Sequence, residues 1–195
     1  CLTPVTQCLS TLASVSFGDG NAGSSRIETG KLLISNQGTV TTGGFAAGNS
    51  GNMIVNASEL IEISGEISSE TTSQRISIDS SVRILPEVVR AVFRLPDIPS
   101  GDAGSVTINT PVLRLTDKGA VSVRNEGAGN AGNLEINADS IFLNQEGEIT
   151  AFTTTGTGGN IFINLQDSLI MGRSSLINTE SLSTGNGGNI TINSP

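Results

Sequence analysis

Residues 129–137 read Gly-Asn-Ala-Gly-Asn-Leu-Glu-Ile-Asn, and versions of this stretch recur along the chain. Residues 48–56 read Gly-Asn-Ser-Gly-Asn-Met-Ile-Val-Asn, and residues 101–109 read Gly-Asp-Ala-Gly-Ser-Val-Thr-Ile-Asn. Residues 156–164 give Gly-Thr-Gly-Gly-Asn-Ile-Phe-Ile-Asn, and residues 185–193 give Gly-Asn-Gly-Gly-Asn-Ile-Thr-Ile-Asn. An eroded copy starts at Gly20. The starting glycines at 20, 48, 101, 129, 156 and 185 are separated by 28, 53, 28, 27 and 29 residues, so one step is nearly double. Self-similarity at such a period is the mark of a stacked repeat architecture, in which each unit buries its apolar face against its neighbours.

Each unit has three apolar parts. After the double-glycine turn comes an alternating stretch. Its first inward position reads Ser25, Met53, Val106, Leu134, Ile161, Ile190, and its second reads Ile27, Val55, Ile108, Ile136, Ile163, Ile192. A second strand follows, with Leu32 and Ile34, Leu60 and Ile63, Leu113 and Leu115, Ile141 and Leu143, or Leu169 and Met171 expected inward. A turn containing Gly38, Gly65, Gly119 or Gly147 leads to a weaker third strand around Val40, Ile67, Val121 and Val123, Ile149 and Ala151, and Leu176 or Ile177. Three short strands per coil with no helix between them predict a single-stranded parallel β-helix. A leucine-rich repeat uses a shorter period and a propeller blade a longer one.

The motif residues fit such a stack. Glycines at its first and fourth positions are expected to take positive φ at a sharp corner and to keep stacked corners free of side chains. The closing Asn56, Asn109, Asn137, Asn164 and Asn193 are expected to lie above one another and to hydrogen-bond along the stack as an amide ladder. A calcium-binding β-roll needs Asp at a fixed place after the glycines. Asn, Ser or an apolar residue stands there, so no metal site and no cofactor is read.

The double step hides residues 65–100. Ile76-Ser77-Ile78-Asp79 has the pattern of a degenerate first strand with Asp79 in the Asn position, which predicts a further coil starting near residue 72. The coil domain is therefore expected over 20–195, with six to seven coils, starts at 20, 48, about 72, 101, 129, 156 and 185, and an insertion at 85–100. Residues 1–19 are expected to be an irregular piece of a preceding coil with one short strand around Leu12, Val15 and Phe17. Within the insertion, Pro86 and Glu87 suit a helix start. Val88, Val89, Val92 and Phe93 fall on one face at helical spacing. A short helix at 86–94 is predicted, either as a lid burying that face or as a partner-docking element at Arg90, Phe93 and Arg94, where Arg83, Arg90 and Arg94 concentrate positive charge on an acidic chain.

Composition narrows the function. The chain has 195 residues, with ten Lys plus Arg against eighteen Asp plus Glu, and no His, Trp or Tyr. The negative balance argues against nucleic acid, whose binding depends on neutralising phosphates. The lack of His removes the commonest general base and zinc ligand. No run of 18 or more apolar residues is present, so no membrane span is expected. Cys1 and Cys8 are compatible equally with a disulfide and with two free thiols. The first residue is not Met and the chain stops one strand into a repeat. An internal piece of a longer protein is expected, in which a missing signal peptide does not speak against secretion.

The repeats Gly-Asn-Ala-Gly-Asn-Leu-Glu-Ile-Asn-Ala-Asp-Ser-Ile-Phe-Leu and Gly-Asn-Gly-Gly-Asn-Ile-Thr-Ile-Asn, with Thr-Ile-Asn-Thr-Pro and Ser-Val-Arg-Asn-Glu-Gly between Ser100 and Asn125, resemble those of cyanobacterial large exoproteins of the filamentous haemagglutinin-like family. The resemblance covers roughly residues 18–195. It implies a right-handed parallel β-helix exported by two-partner secretion through an outer-membrane β-barrel partner. It also implies an extracellular, cell-surface location and a role in adhesion or surface filaments, with no catalytic motif to carry over. A non-enzymatic adhesive shaft is thus the first expectation, with cell-surface or extracellular polysaccharide as a candidate partner. The alternative is a polysaccharide-acting β-helix enzyme or carbohydrate-binding module. Clustered carboxylates would mark such an enzyme, but Asp102, Asp117, Asp139 and Asp167 fall mostly at turns. An ice-binding array would need a row of outward Thr. The outward column of the first strand reads Arg26, Ile54, Ser77, Thr107, Glu135, Phe162, Thr191, which has no single chemistry.

Overall fold

A computed structural model describes residues 10–36, 38–65, 76–183 and 185–195. Cys1, Cys8, Ile67 and the expected coil start near 72 lie outside the described residues. In chain order the elements are β1 (Thr11–Ser16), β2 (Ser25–Ser35), β3 (Thr39–Gly44), β4 (Met53–Ser64), β5 (Ser77–Val82), α1 (Glu87–Phe93), β6 (Val106–Thr116), β7 (Ala120–Asn125), β8 (Leu134–Leu143), β9 (Glu148–Thr153), β10 (Ile161–Met171), β11 (Leu176–Ser181) and β12 (Ile190–Asn193).

The strands form two six-stranded parallel sheets, ordered β1-β3-β5-β7-β9-β11 and β2-β4-β6-β8-β10-β12. Each strand pairs with its equivalent one coil away, for example Ile108 with Ile136 and Val121 with Ile149. The molecule is a parallel β-helix of about six turns. Each coil contributes one long and one short strand where three short ones were expected. The first two expected strands are a single long strand, bent past the Asn position, and its pairing shifts register there in several rungs.

That bend accounts for one misplaced core residue. From Asn56 to Leu60 there are four steps, while their partners Asn109 and Val112 are three apart. β4 therefore carries one extra residue, a bulge that flips the side-chain phase beyond it. Ile61 and Ile63 are fully buried, and Leu60 is not the inward residue.

The double step is one enlarged coil. β4 pairs directly with β6, so no additional long strand lies between them. β5 sits between β3 and β7 in the short-strand sheet. Ile76-Ser77-Ile78-Asp79 was thus assigned to the wrong side of the coil, because inward–outward alternation is the same on every side. Asp79 stands beside Thr41 and Ser122, outside the Asn ladder, and Ser77 does not belong to the column of Ile54 and Thr107.

The core is the stacked interior. Met53, Val55, Val106, Ile108, Leu134, Ile136, Ile161 and Ile163 line one wall, and Ile78, Val121, Val123, Ile149 and Ala151 line the facing one. All are buried to within a percent of complete exclusion. In the last rung Ile190 and Ile192 are exposed.

Candidate functional site

The expected Asn ladder is present. Asn109 Nδ2 donates to Asn56 Oδ1 at 2.7 Å, Asn137 to Asn109 at 2.8 Å, Asn164 to Asn137 at 2.8 Å, and Asn193 to Asn164 at 3.0 Å. Glu28 occupies the same column one rung below Asn56. A hydrogen bond from Arg26, reinforced by that residue's charge, holds the Glu28 carboxyl below its usual range, and the bond from Asn56 adds to this. The column thus starts on a carboxylate that only accepts.

Two further ladders run through the motif's second and fifth positions, which sequence reasoning did not single out. Their side-chain oxygens accept from backbone N–H groups of the adjacent coil. In one, Asn49 N donates to Asn21 Oδ1, Asp102 N to Asn49 Oδ1, Asn130 N to Asp102 Oδ1 and Thr157 N to Asn130 Oδ1. In the other, Ser105 N donates to Asn52 Oδ1, Asn160 N to Asn133 Oδ1 and Asn189 N to Asn160 Oδ1. The signal was the recurrence of Asn, Asp, Ser or Thr at these positions. These ladders satisfy turn backbone that the sheets leave unpaired.

The insertion leaves the coil after Val82 and returns at Gly101. Both of its ends bond to one turn of the coil below: Arg83 N donates to Gly44 O, and Ser100 N to Ala46 O. The helix is Glu87–Phe93, with Pro86 as its N-cap and Arg94 closing it in the left-handed region at φ 54°. The apolar face expected to be a lid is not buried. Val88 is 77% exposed and Val92 72%, and no residue of the helix is buried. A helix of seven residues makes only two turns, and this one turns its Val88–Val92 edge outward. It is held instead through Phe93, which stacks on Phe17 at 5.1 Å, while Phe17 stacks on Phe45 at 4.9 Å.

The three docking candidates have different uses. Arg90 bonds within the insertion, through Nη1 to the backbone and carboxylate oxygens of Asp97, both at 3.0 Å. Its Nε is buried without a partner among the described residues. Phe93 belongs to the aromatic stack, and the exposed Arg94 forms the helix cap.

Beside the insertion lies a feature the sequence reading did not reach. On the outer face of the short-strand sheet, three columns run Ser77–Ala120–Glu148, Asp79–Ser122–Thr150 and Ser81–Arg124–Phe152. The chain at Arg83–Leu85 stands over this face and encloses a cavity of about 510 Å³. Its lining includes Ser77, Arg83, Ser122, Arg124, Glu126 and Thr150. Arg83 donates to Asp79 Oδ2 at 2.6 Å and to Ser81 Oγ at 3.0 Å, and the Asp79 side chain is 1% exposed. Arg124 lies over the Phe152 ring at 4.4 Å and pairs with Glu126 at 3.3 Å. The other oxygen of Glu126 accepts from Ile84 N at 3.1 Å, tying the two walls together. Reading Ser77 and Asp79 as first-strand residues is what hid this grouping.

Among the described residues no cluster of three or more His, Cys, Asp or Glu is placed to hold a metal ion, and no helix is long and apolar enough to cross a membrane. Comparison of the chain with protein-family models, with curated proteins and with solved structures brings no match.

Proposed function

We propose that this chain is a non-catalytic, adhesive shaft segment of a large secreted surface protein of the filamentous haemagglutinin-like kind. The observation that carries the proposal is the repetition of one support system in rung after rung: stacked apolar columns inside and three polar ladders along the corners. Such a structure extends in one dimension by addition of like units, and each unit's stability comes from its neighbours. Reach from a surface is what this design supplies. An outer-membrane barrel for export and a cell-surface location belong to the same proposal, through the resemblance of the repeats to that family.

The test is location. In the organism that makes this protein, antibodies raised against this chain should label intact, unpermeabilised cells in immunogold microscopy, and external protease should remove the label. Label found only after permeabilisation overturns the proposal.

The second reading, a carbohydrate-binding module, is favoured by the polar cavity under Arg83–Leu85. It is compatible with the first, because a shaft with a glycan site on its flank is an adhesin.

A further inference from the structure

We propose that the cavity between Arg83–Leu85 and the outer face of β5, β7 and β9 binds a short, uncharged stretch of glycan. The proposal deepens the adhesive reading and rests on it only for where the glycan is met; binding itself is a property of the isolated chain.

Three observations point to a polyhydroxylated ligand. The cavity's 510 Å³ falls within the roughly 300–1,000 Å³ of small-molecule sites. Its floor carries the hydroxyls of Ser77, Ser122 and Thr150, and none of them has a hydrogen-bond partner among the described residues. Ser77 is 3% exposed and lines this space. A hydroxyl without a protein partner can both donate to and accept from a ligand's hydroxyls.

The walls add directional groups. Each guanidinium has N–H groups beyond those used on Asp79, Ser81 and Glu126. Phe152 holds the plane of Arg124, and the Ile84–Glu126 bond fixes the wall, so these donors are pre-set. Ile84, Leu85 and Ala120 give the cavity an apolar portion suited to the C–H face of a sugar ring.

Charge selects among glycans. Arg83 is paired with Asp79 and Arg124 with Glu126, so neither cation is left over to neutralise an anion. The net charge of the chain is −8. Polyuronates and sulfated glycans therefore meet a site with no surplus positive charge in an acidic protein, whereas paired charges remain strong hydrogen-bonding groups for neutral hydroxyls.

The test is saturation-transfer NMR and titration calorimetry of the full chain against cellotetraose, laminaritetraose, mannotetraose, maltotetraose and trigalacturonate. At least one neutral oligosaccharide is expected to bind. Ser122→Phe, which fills the cavity from an outward-facing position, and Arg124→Gln, which removes a wall donor, should each weaken binding by about tenfold or more, a loss of roughly 1.4 kcal/mol. Arg94→Ala, outside the cavity, should leave it unchanged. If Ser122→Phe fails to fold by circular dichroism, Arg124→Gln decides. The proposal is overturned if no neutral oligosaccharide binds at about 10 mM, where a ligand with a Kd of about 1 mM is already detected. Binding of trigalacturonate alone overturns it too, as does undiminished binding by the folded variants. Failure here leaves the surface-labelling result untouched, so the two proposals fail separately.

Discussion

Each coil turns at two corners. Between the short strand and the next long strand, Gly129 and Gly132 or their equivalents carry the chain around. Between the long strand and the short one, a two-residue turn does so: Asp117–Lys118, Gln145–Glu146 and Arg173–Ser174, all at φ between 43° and 67°. Glycine was expected to provide positive φ, yet no described glycine has it, and the residues that do at this second corner are not glycines. A Cβ built at Gly132 would overlap the carbonyl group of Gly104 in the coil below, and one at Gly129 would overlap that of Gly101. The motif glycines are placed by room. At the other corner the φ values and the closing bonds, Gly119 N to Thr116 O and Gly147 N to Asn144 O, are those of type I′ turns. Such turns favour Asn-Gly or Asp-Gly, and here Lys118, Glu146 and Ser174 stand where glycine is favoured. Successive turns bond to one another, Lys118 N to Gln145 O and Glu146 N to Arg173 O. The stack keeps a strained conformation that the local sequence would not choose.

The largest expected effect tests the glycine corner directly. Gly132→Ala should destabilise the chain by about 3 kcal/mol, the upper end of overpacking costs, because the obstacle is backbone fixed by the sheets on either side. Urea denaturation would read this as a lower midpoint. Gly20→Ala, at the motif's first position but with nothing within 4 Å of its added Cβ, should change stability by no more than about 0.5 kcal/mol. Equal effects of the two substitutions would break the comparison, since the requirement would then be conformational and not steric.

The same corner is also braced from inside. Asn125 Nδ2 donates to Gly101 O and Asn130 O, and its Oδ1 accepts from Gly127 N. One rung on, Thr153 takes its place and donates to Gly129 O, and Ser181 then donates to Gly156 O. Asn125→Ala should cost about 2 kcal/mol, because it strands buried polar groups of the turn. Asn125→Thr replaces the amide with the hydroxyl that does this work in the next rung and should cost about half as much. The difference between the two midpoints in urea measures how much of the corner's stability comes from bracing its carbonyls. No difference would put it all in the packing.

What the sequence made legible follows from this contrast. The period, the inward columns and the Asn ladder all come from repetition: Ile136 has the same neighbours as Ile108 and Ile163, so one assignment fixes the rest. Legibility fails wherever the chain departs from its own repeat. Ile76-Ser77-Ile78-Asp79 alternates like a long strand and lies in a short one, and only pairing partners distinguish the two. Leu60 and Ile61 exchange places through one extra residue. The valines of α1 have helical spacing but no surface to cover. The polar cavity was illegible for the same reason, since its members come from three rungs and the insertion, and Ser77 had been assigned to the other sheet.

The smallest effect concerns the turn corner. Gln145 and Glu146 occupy the left-handed region at φ 48° and 64°, a conformation that disfavours most side chains by roughly 1–2 kcal/mol and Asn by less. Gln145→Asn keeps the backbone carbonyl that accepts from Lys118 N and shortens the side chain to one suited to that region. It should stabilise the chain by about 0.5 kcal/mol, read as a slightly higher urea midpoint. Asn144, next to it, donates through its side chain to Gln145 Oε1 only at 3.5 Å, so little is lost by removing that acceptor. A gain would show that the turn carries residual strain which stacking offsets without abolishing. A loss would mean that the side chains of Asp117–Lys118 and Gln145–Glu146, with the Lys118–Glu146 pair at 3.9 Å among them, contribute more to the second corner than its φ angles cost. The two corners would then both be held by contacts between coils, one through atoms that are absent and the other through atoms that are present.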